Sequence, residues 1–510
     1  MCGIICFSKT KDYSFQELTS LCQSIVHRGP DHSSISDFLI DNKSKIYLLA
    51  TQLMIVGKET FPIEFGHSNN KSELDTDIMI GNIEIYNYKE LYETYLIDDF
   101  SWDSNYSDTH VLIPLFRKFI QQGLGKIEAI EKTLSLIKGE YAFAMLLSSL
   151  ELLIARDPIG IRPLYFVFEN EKSFAFASEV HSIVSLDFTN NLIQAVHPGY
   201  FTLLDLNHQC SDLHWHEITD NLQYICENRN FNYFSEGVSK EILSRELLTI
   251  LENSFKIRIP TNQYALFISG GIDSSILLGL LLKIGDVKKC FIISVGFEGS
   301  PDLETARSLC NSLKVPLYEV IITKISLKSE LPCILKNLRL RSSVISPIDV
   351  SIAVPIHFAS KKAKEFGCKV AMSGQGADEL FIGYKKYFDS ELKTNAEKLL
   401  NKVNHDIINI ASQNLERDDI ITMNSSIEVR FPYLDIEVLR WVMNQNVSTL
   451  YTASETNRKE ILRNVAAKLN LPDFIVNRQK KAAQYGTYVM KNLYQLAKQH
   501  ESINDYLESI

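Results

Sequence analysis

Ala265-Leu-Phe-Ile-Ser-Gly-Gly-Ile-Asp-Ser-Ser-Ile-Leu-Leu-Gly-Leu280 is the stretch that decides the fold of this sequence. Its first four residues are an apolar run that predicts a buried parallel strand, and the leucine-rich run from Ile276 predicts a helix. Gly270 and Gly271 lie between them, where they allow the backbone to turn sharply and to approach a ligand closely. The stretch therefore predicts an α/β domain with a ligand at this turn.

Polar side chains around the turn indicate that the ligand carries phosphate groups. Ser269, Ser274 and Ser275 bring hydroxyl groups to the N-terminus of the helix, where backbone N–H groups favour anions. Asp273 is an acid within this anion site, which is reasonable if Mg²⁺ lies between it and the phosphates. No lysine follows the glycines, so the turn is not the loop that holds a transferable γ-phosphate. An ordinary structural turn is the alternative, and the complete serine-rich string favours the functional interpretation.

Composition limits the class of protein. The chain has 510 residues, of which 45% are hydrophobic and 22% charged, and this predicts a globular protein of two to four domains. A net charge of −10 argues against a broad nucleic-acid or membrane-surface role. The nine cysteines are scattered without a C-x-x-C pair, so neither a disulfide framework nor a zinc motif is expected. With no signal-peptide pattern and no apolar run long enough to span a bilayer, we expect a cytoplasmic protein.

Cys2 is the second chemically suggestive residue. If Met1 is removed, Cys2 carries a thiol and an α-amine on adjacent carbons. The ordinary pKa values of these groups lie near about 8 for the amine and about 8.5 for the thiol, so the amine can act as the base of its own nucleophile. Taken alone, a cysteine after the initiator methionine is best explained by chance. The interpretation of Cys2 as a nucleophile therefore depends on the residues that follow.

Several strands follow, with few helices between them. Asn82 to Asn87 alternates as a strand does, and Ser107-Asp108 opens a helical segment. Further buried strands are indicated at residues 139–147, 152–166 and 174–179. Many strands with few helices predict stacked sheets.

Residues 2–205 resemble the class II glutamine amidotransferase domain, an N-terminal-nucleophile hydrolase of four αββα layers, in the order found in glutamine-hydrolysing asparagine synthetases. The resemblance implies that Cys2 attacks the side-chain amide of glutamine and that Asn82 stabilises the oxyanion. It also implies that Glu84 and Asp108 hold the α-amine of glutamine. These roles agree with the chemistry, because acids bind an ammonium group and a neutral amide donor stabilises developing negative charge.

Two departures from the family pattern lie in this domain. The family has an arginine that pairs with the carboxylate of glutamine, whereas residues 48–56 contain no cation, and Lys58 is the residue that could substitute. The family's Asn-Gly-Glu triplet is Asn82-Ile83-Glu84, and a β-branched residue resists backbone angles that a glycine adopts. Both departures predict weaker use of glutamine.

A polar segment, residues 206–240, is the predicted linker to a second domain, 241–510. Within the linker, His214 and His216 are two residues apart with no third ligand nearby, which favours a strand face over a metal pair. Beyond it, strands at 289–297 and 316–322 flank a helix that starts near Ser300, and this order predicts a parallel sheet that binds ligands at the carboxyl ends of its strands. Val295, placed at the end of its strand, is expected to contact adenine.

A second turn, Ser373-Gly-Gln-Gly-Ala-Asp378-Glu379, again follows a short apolar strand. A structural turn is the alternative, but two such corners in one sheet, each with an aspartate, can clamp one Mg-ATP between Asp273 and Asp378. The turn resembles the Ser-Gly-Glu-Gly-(Ser/Ala)-Asp-Glu motif of asparagine synthetases. That resemblance implies that the backbone at Ser373 and Gly374 holds AMP.

The first turn resembles the pyrophosphate loop of the PP-loop ATP pyrophosphatases, and the second domain as a whole resembles the asparagine synthetase domain. The resemblance places the lysine that neutralises departing pyrophosphate at Lys459. It also implies that residues 426–435 are mainly structural. Arg478, Lys480 and Lys481 are expected to add further positive charge. The glutamate of the bacterial motif is Gln375 here, which cannot take a proton. Residues 341–355, where the family recognises aspartate, diverge.

The sequence is therefore identified as a member of the glutamine-hydrolysing asparagine synthetase family, and its departures resemble the divergent asparagine synthetase domain-containing group. The resemblance implies a carbon–nitrogen ligase that uses ATP and Mg²⁺ to convert aspartate to asparagine, with ammonia carried from glutamine by an internal tunnel. Three alternatives stay open: an ammonia-dependent synthetase with a weakened glutaminase, a ligase for another carboxylate, and a non-enzymatic scaffold. A homodimer is the expected assembly.

Overall fold

The structure is a computed structural model, and the chain divides into two units, Met1–Tyr224 and Ile225–Ile510. The residues described are 2–41, 44–66, 76–170, 172–188, 192–207, 213–219, 221–227, 239–341, 345–389, 392, 395–445, 450–451, 458–479 and 483–510. The division lies inside the predicted linker, of which residues 208–212, 220 and 228–238 lie outside the described part of the chain.

Twelve strands are described in the first unit, and they form two six-stranded sheets in which every pair of neighbours is antiparallel. The strands are β1 Cys2–Lys9, β2 His32–Asp41, β3 Ser44–Gln52, β4 Ile63–Gly66, β5 Thr76–Ile85, β6 Gly139–Leu146, β7 Glu151–Arg156, β8 Tyr165–Asn170, β9 Ser173–Ala177, β10 Gln194–Ala195, β11 Tyr200–Asp205 and β12 Trp215–Glu217. One sheet has the order β10-β8-β9-β1-β3-β2 and the other the order β12-β11-β7-β6-β5-β4.

Helices cover the outer faces of both sheets. The α-helices of this unit are α1 Phe15–Ser24, α2 Tyr88–Leu91, α3 Leu112–Gln121, α4 Lys126–Leu136 and α5 Val180–Val184, and α6 Leu222–Glu227 covers the division between the units. A 3₁₀ turn, Asp108–Val111, leads directly into α3, so the helical segment predicted from Ser107-Asp108 is present.

The alternation of β1 shows how the layers form. Its even-numbered apolar residues, such as Ile4, pack in the core between the two sheets, and its odd-numbered ones, such as Phe7, pack with α1 and α5. A strand buried on both faces needs a continuous apolar run, which β1 has. The other sheet is covered by α3 and α4, whose side chains pack on β6 and β7. The predicted four-layer αββα arrangement is confirmed.

The second unit contains one five-stranded sheet whose neighbours are all parallel, in the order β15-β14-β13-β16-β17. The strands are β13 Tyr264–Phe267, β14 Cys290–Phe297, β15 Tyr318–Ile322, β16 Val370–Met372 and β17 Glu428–Arg430. The strand order runs outward from β13 in both directions, and right-handed crossovers then place helices on both faces of the sheet. The predicted doubly wound parallel sheet is confirmed.

Fourteen α-helices are described in the second unit beyond α6. They are α7 Lys240–Ile257, α8 Ile272–Ile284, α9 Pro301–Leu313, α10 Lys324–Arg341, α11 Pro347–Glu365, α12 Ala377–Leu380, α13 Ala396–Ile408, α14 Glu416–Met423, α15 Ile436–Met443, α16 Glu460–Lys468, α17 Asp473–Val476, α18 Ala483–Gly486, α19 Val489–Leu496 and α20 Ile503–Glu508. Among the described residues, no helix is both long and apolar enough to cross a membrane.

Val295 lies near the end of β14. The strand was predicted over residues 289–297 and spans Cys290–Phe297, with Gly296 and Phe297 paired to Ile321 and Ile322 of β15. Val295 is itself buried. Its predicted contact with adenine stays a prediction.

Candidate active sites

Cys2 is the first residue of β1 and lies in the interior of the first unit. Its backbone nitrogen donates a hydrogen bond of 3.0 Å to Oδ1 of Asn82 on β5, and 6% of Cys2 and 0% of Asn82 are exposed. The other amide atom of Asn82, Nδ2, is buried, and no hydrogen-bond partner for it is found among the described residues. A buried donor is costly to leave unused. A free amide donor beside Cys2 is the arrangement that the predicted oxyanion role of Asn82 requires.

Ile83 fits into β5 without unusual backbone geometry. It pairs with Tyr141 in the regular register, and it is not among the described residues with positive φ. Its side chain instead lies over Gly81 on the same face of the strand, where a Cβ atom on Gly81 would come within 2.3 Å of Ile83 Cδ1. The glycine before Asn82 therefore leaves room for the large side chain after it. This compensation was not predicted from the sequence.

The two acids predicted to hold an amine line the same cleft as Cys2. Asp108 Oδ2 accepts a hydrogen bond of 2.5 Å from the backbone nitrogen of Ile85, and both Glu84 and Asp108 are buried. We call this space the amidase cleft, and its lining residues are Cys2, Gln52, Leu53, Met54, Ile55, Val56, Phe61, Ile83, Glu84, Ser107, Asp108 and Thr109. The structure therefore brings the predicted nucleophile Cys2, the predicted amide donor Asn82 and both acids together.

The cation suggested as a substitute does not line the amidase cleft. Lys58 is exposed, and its backbone nitrogen bonds to the carbonyl of Asn105. At the end of β3, the side chain of Gln52 is used by the fold, since Nε2 donates to the carbonyl of Glu59 (3.2 Å) and Oε1 accepts from the nitrogen of Phe61 (3.1 Å).

A buried ionic cluster supports the backbone of Cys2. Arg28 is fully buried, and it donates from Nε to the carbonyl of Cys2 (3.3 Å) and from NH1 to Glu179 (2.8 Å). His27 and His181 also contact Glu179, at 2.9 and 3.1 Å. Burial alone would raise the pKa of Glu179, but hydrogen bonds from the two histidines and the charge of Arg28 hold it well below its usual value. The contact between Arg28 and Glu179 was not predicted from the sequence.

In the second unit, the loop between β13 and α8 has the geometry of an anion site. Gly270 has a φ of +67° and its Cβ position lies 2.8 Å from the nitrogen of Ala306, so the turn requires glycine. Helix α8 starts at Ile272, earlier than the leucine-rich run suggests, and this puts Asp273 and Ser274 in its first turn. Ser274 Oγ accepts a hydrogen bond of 3.1 Å from the nitrogen of Ser269. Ser275 is buried.

The second predicted corner meets the first. A Cβ atom on Gly374, which follows β16, would lie 3.3 Å from Asp273 Cβ and from the nitrogen of Ser274. Ser373 donates its backbone nitrogen to the carbonyl of Arg430 (3.1 Å), so that N–H group is used by the fold. The two loops are therefore close enough to contact one ligand between them.

Lys459 joins the two aspartates. Its Nζ lies 2.7 Å from Asp273 Oδ1 and 2.6 Å from Asp378 Oδ1, and its side chain is 1% exposed. The residue precedes α16 and has a φ of +60°, a left-handed conformation that is uncommon for lysine. The lysine and aspartates predicted from separate motifs thus form one cluster.

Three arginines extend the positive charge of this cluster. The phosphate cleft, as we name it, is lined by Ser269, Gly271, Ile272, Asp273, Asp302, Arg458, Lys459, Arg463, Arg478 and Gln479. Arg478 NH2 bonds to Asp302 Oδ1 (2.8 Å) and its NH1 to the carbonyl of Ser269 (3.2 Å). Burial lowers the pKa of Arg463. Four cations against two acids among these residues favour an anionic ligand.

Of the positive charges expected from the sequence, Arg478 and Lys459 line this cleft, whereas Lys480 and Lys481 lie outside the described residues. Roles for Arg458, Arg463 and Asp302 were not predicted. For Arg458 and Arg463, the one sequence signal was their position close to Lys459. For Asp302 there was none, because its contact with Arg478 depends on the tertiary fold.

Glu379, next to Asp378, is a buried carboxyl group that sequence reasoning left without a role. Its Oε1 accepts hydrogen bonds from Tyr384 Oη (2.6 Å) and from Asn414 Nδ2 (2.7 Å). Burial, with the neighbouring charge of Asp378, raises the pKa of Glu379.

Residues 426–435, expected to be structural, contain buried ion pairs. Arg430 bonds to Glu428 (2.7 Å), and Arg258, the residue after α7, donates to Asp435 (2.6 Å). The carbonyl of His214 accepts a hydrogen bond from Thr202 Oγ1, and the ring of His216, on β12, stacks on Phe201.

Comparison with known proteins identifies the family. The asparagine synthase family model matches residues 246–406 and 394–508, and the glutamine amidotransferase domain model matches residues 1–219. A Methanocaldococcus jannaschii protein named as a glutamine-hydrolysing asparagine synthetase is 30% identical, with 94% of this chain and 90% of the archaeal protein covered. The chain belongs to the asparagine synthetase family.

Two further relatives carry the same family name. One, from Acanthamoeba polyphaga mimivirus, is 26% identical over 94% of this chain and 84% of its own length. The other, asparagine synthetase B of Escherichia coli, is 26% identical over 89% of this chain and 76% of its own length. The asparagine synthetase resemblance thus extends over both units.

Proposed function

We propose that this chain is a glutamine-dependent carbon–nitrogen ligase that uses ATP to convert aspartate to asparagine. The observation that carries the proposal is the presence of two separate sites of complementary chemistry in a member of this family. One contains a nucleophile, an amide donor and two acids, and the other is a cationic cleft at the carboxyl end of a parallel sheet. Residues 2–205 and 241–510 are the proposed domains, with 206–240 as the linker.

In the amidase cleft, Cys2 is the proposed nucleophile for the side-chain carbonyl of glutamine. With Met1 removed, its α-amine accepts the thiol proton and returns it to the departing ammonia. The amide nitrogen of Asn82 stabilises the oxyanion, and Glu84 and Asp108 hold the ammonium group of the substrate. The 3.0 Å contact between Cys2 and Asn82 supports this assignment, because it fixes the donor beside the reacting atom.

In the phosphate cleft, the proposed reaction activates the aspartate side-chain carboxylate as an acyl-adenylate and releases pyrophosphate. Charge accumulates on the leaving pyrophosphate, and Lys459 is placed to compensate for it. The β13–α8 loop would bind the phosphates through five residues: Ser269, Gly270, Gly271, Ser274 and Ser275. Val295 is assigned to adenine, and Ser373 and Gly374 to AMP. Ammonia then displaces AMP to give asparagine.

The residues present fit Mg²⁺, the ion that the family reaction implies. Asp273 and Asp378 each place an oxygen within 2.7 Å of Lys459 Nζ, so the two carboxylates lie near each other. Mg²⁺ prefers oxygen ligands and is bound by one or two carboxylates together with substrate phosphates. When bound, the ion would neutralise phosphate charge. The metal ligands, like the homodimer and the cytoplasmic location, stay predictions.

An ammonia-dependent synthetase is the second candidate, favoured by the lack of a lysine or arginine among the described residues of the amidase cleft. Aspartate-dependent ATP–pyrophosphate exchange tests the ligase in either case. Asparagine formation is then measured with glutamine or ammonium, in the natural protein and in Cys2→Ala. We expect exchange in both proteins and loss of only the glutamine-driven product in Cys2→Ala. If exchange with aspartate is absent, the proposal is wrong.

A further inference from the structure

Arg463, in the first turn of α16, bonds through its guanidinium group to three backbone carbonyls. Nε donates to the carbonyl of Arg458 (3.0 Å), NH2 donates to that of Arg478 (2.8 Å), and NH1 donates to that of Val476. The residue is buried against these carbonyls and is 6% exposed. A guanidinium group has five N–H donors in one rigid plane, so a single side chain can hold several acceptors at once. Arg463 therefore joins two separate segments of backbone.

The segment at Arg478 is the fixed side of this connection. Arg478 NH2 bonds to Asp302 Oδ1 in α9 (2.8 Å), and its NH1 donates to the carbonyl of Ser269 in the β13–α8 loop (3.2 Å). Its backbone nitrogen donates to the carbonyl of Ile475 (3.1 Å). The backbone at residue 478 is therefore held by contacts other than those of Arg463, and it can serve as an anchor.

Lys459 is the residue whose backbone requires such an anchor. Its φ of +60° lies in the left-handed region, which is unfavourable for a residue with a Cβ atom and persists only where surrounding contacts impose it. Arg463 Nε holds the carbonyl of Arg458, in the peptide group before Lys459. The backbone nitrogen of Arg463 donates to the carbonyl of Lys459 (3.1 Å), in the peptide group after it. One residue thus fixes both peptide groups that set the backbone angles of Lys459.

The side chain of Lys459 has little freedom to compensate for a change in its backbone. Its Nζ contacts Asp273 and Asp378 at 2.7 and 2.6 Å, and the side chain is 1% exposed. A Cβ atom on Gly383 would overlap both Lys459 Cε and Asp378 Oδ1, so the neighbouring backbone closes the space beside the lysine. A shift of the backbone at residue 459 would therefore move the charge away from at least one of the two aspartates.

We propose that Arg463 is a positioning residue for the release of pyrophosphate, and that it acts by holding the backbone of Lys459 in its left-handed conformation. The proposal rests on the ligase function proposed above and assigns a role to a further residue of the phosphate cleft. Arg463 also lines that cleft, so direct attraction of a phosphate group by its charge is the alternative. Positioning requires the planar set of donors, whereas attraction requires only the positive charge.

Two variants separate the donors from the charge. Arg463→Lys keeps the charge but loses the planar set of donors, and Arg463→Gln also removes the charge, which avoids burying a charge without its partners. Aspartate-dependent ATP–pyrophosphate exchange is measured with Mg²⁺ for the full chain of each variant, and urea denaturation establishes that it is folded. We expect kcat to fall by about 10²-fold in both, the loss that a small misplacement of a catalytic group produces. In Arg463→Lys, KM for ATP should change by less than about threefold, because the charge that attracts the substrate remains.

A second measurement asks whether Arg463 acts through Lys459. In a Lys459→Met background, Arg463→Lys should lower exchange by less than about a further threefold, because the group that it positions is gone. Arg440→Lys is the matched control. Arg440 of α15 pairs with Glu437 at the surface, where the two side chains are 39% and 52% exposed, and exchange should stay within about threefold of that of the natural chain.

Three results would overturn this inference and leave the ligase function intact. They are a normal kcat in Arg463→Lys beside a low one in Arg463→Gln, a raised KM for ATP with unchanged kcat, and losses that multiply in the double variant. The first two would assign Arg463 to direct attraction of the substrate, and the third would show that it acts independently of Lys459. Absence of aspartate-dependent exchange in the natural chain would instead overturn the ligase function together with the inference.

Discussion

Lys459 provides the sharpest test of the synthetase site, because it is the one described side chain that touches both aspartates. Replacing it by methionine keeps the length of the side chain and its left-handed backbone while removing the charge. Asp273 and Asp378 would then face each other without their shared partner, and departing pyrophosphate would lose a cation.

The expected magnitudes follow from burial and contact. Breaking a buried ion pair by removing one partner costs about 3–5 kcal/mol, and the lower end applies here, because 13% and 19% of the two aspartate side chains are exposed. Loss of a donor that stabilises transition-state charge lowers kcat by about 10²–10³-fold. We therefore expect Lys459→Met to reduce aspartate-dependent ATP–pyrophosphate exchange by that factor and the free energy of unfolding of the second unit by about 3 kcal/mol.

The assay combines pyrophosphate exchange with urea denaturation, and ammonia release at Cys2 serves as a readout independent of Lys459. Lys468, at the C-terminal end of α16, is a matched control, because it pairs with Glu241, whose side chain is 61% exposed. Lys468→Met should change stability by less than about 1 kcal/mol and leave exchange unaltered. If Lys459→Met kept exchange within about threefold of the natural chain, a factor worth well under 1 kcal/mol, the role assigned to Lys459 would be refuted.

Three further predictions concern the first unit. Asn82→Ala should lower glutamine-driven kcat by about 10²–10³-fold and leave ammonium-driven asparagine formation unchanged, as measured by product analysis; equal loss in both assays would point to misfolding instead. Glu179→Gln should destabilise the first unit by about 3–5 kcal/mol at pH 7. The folded-state pKa of Glu179 lies well below the unfolded value of 4.5, so its stabilisation is complete above that value and is lost as pH falls through the folded pKa. Urea midpoints should thus decline from pH 7 to pH 3 more steeply in the natural chain than in Glu179→Gln, and parallel curves would contradict this. Gly81→Ala should destabilise the natural chain by about 1–3 kcal/mol through contact with Ile83, and much less in an Ile83→Ala background; additive effects in the double-mutant cycle would remove the compensation argued for this pair.

The sequence predicted the architecture well because local signals and global fold agree. The run before Ser269 is apolar on both faces, as a central parallel strand must be, and β13 does lie at the centre of its sheet. The predicted strands of the first unit likewise form stacked sheets. The strand predicted over residues 289–297 is β14, Cys290–Phe297.

The site residues were harder to predict, because their positions depend on contacts between residues far apart in the chain. Motifs pointed to Asp273, Asp378 and Lys459 separately, but their distances depend on how two loops and the start of α16 pack. The role of Glu179 beneath Cys2 and that of Asp302 beside Arg478 depend on contacts more than 150 positions apart in the chain. The packing of Ile83 over Gly81 required the strand itself, because it concerns two residues on one face of β5.

The hydrogen bonds of the arginines in the phosphate cleft have a consequence for ligand affinity. Arg458 donates to the carbonyl of Gly383 (3.0 Å), Arg478 to that of Ser269, and Arg463 to the carbonyls of residues 458, 476 and 478. Side chains already ordered in this way lose little rotamer freedom on binding, a cost that otherwise reaches about 0.5–1.5 kcal/mol each. The cleft can therefore bind an anionic ligand without first ordering these three arginine side chains.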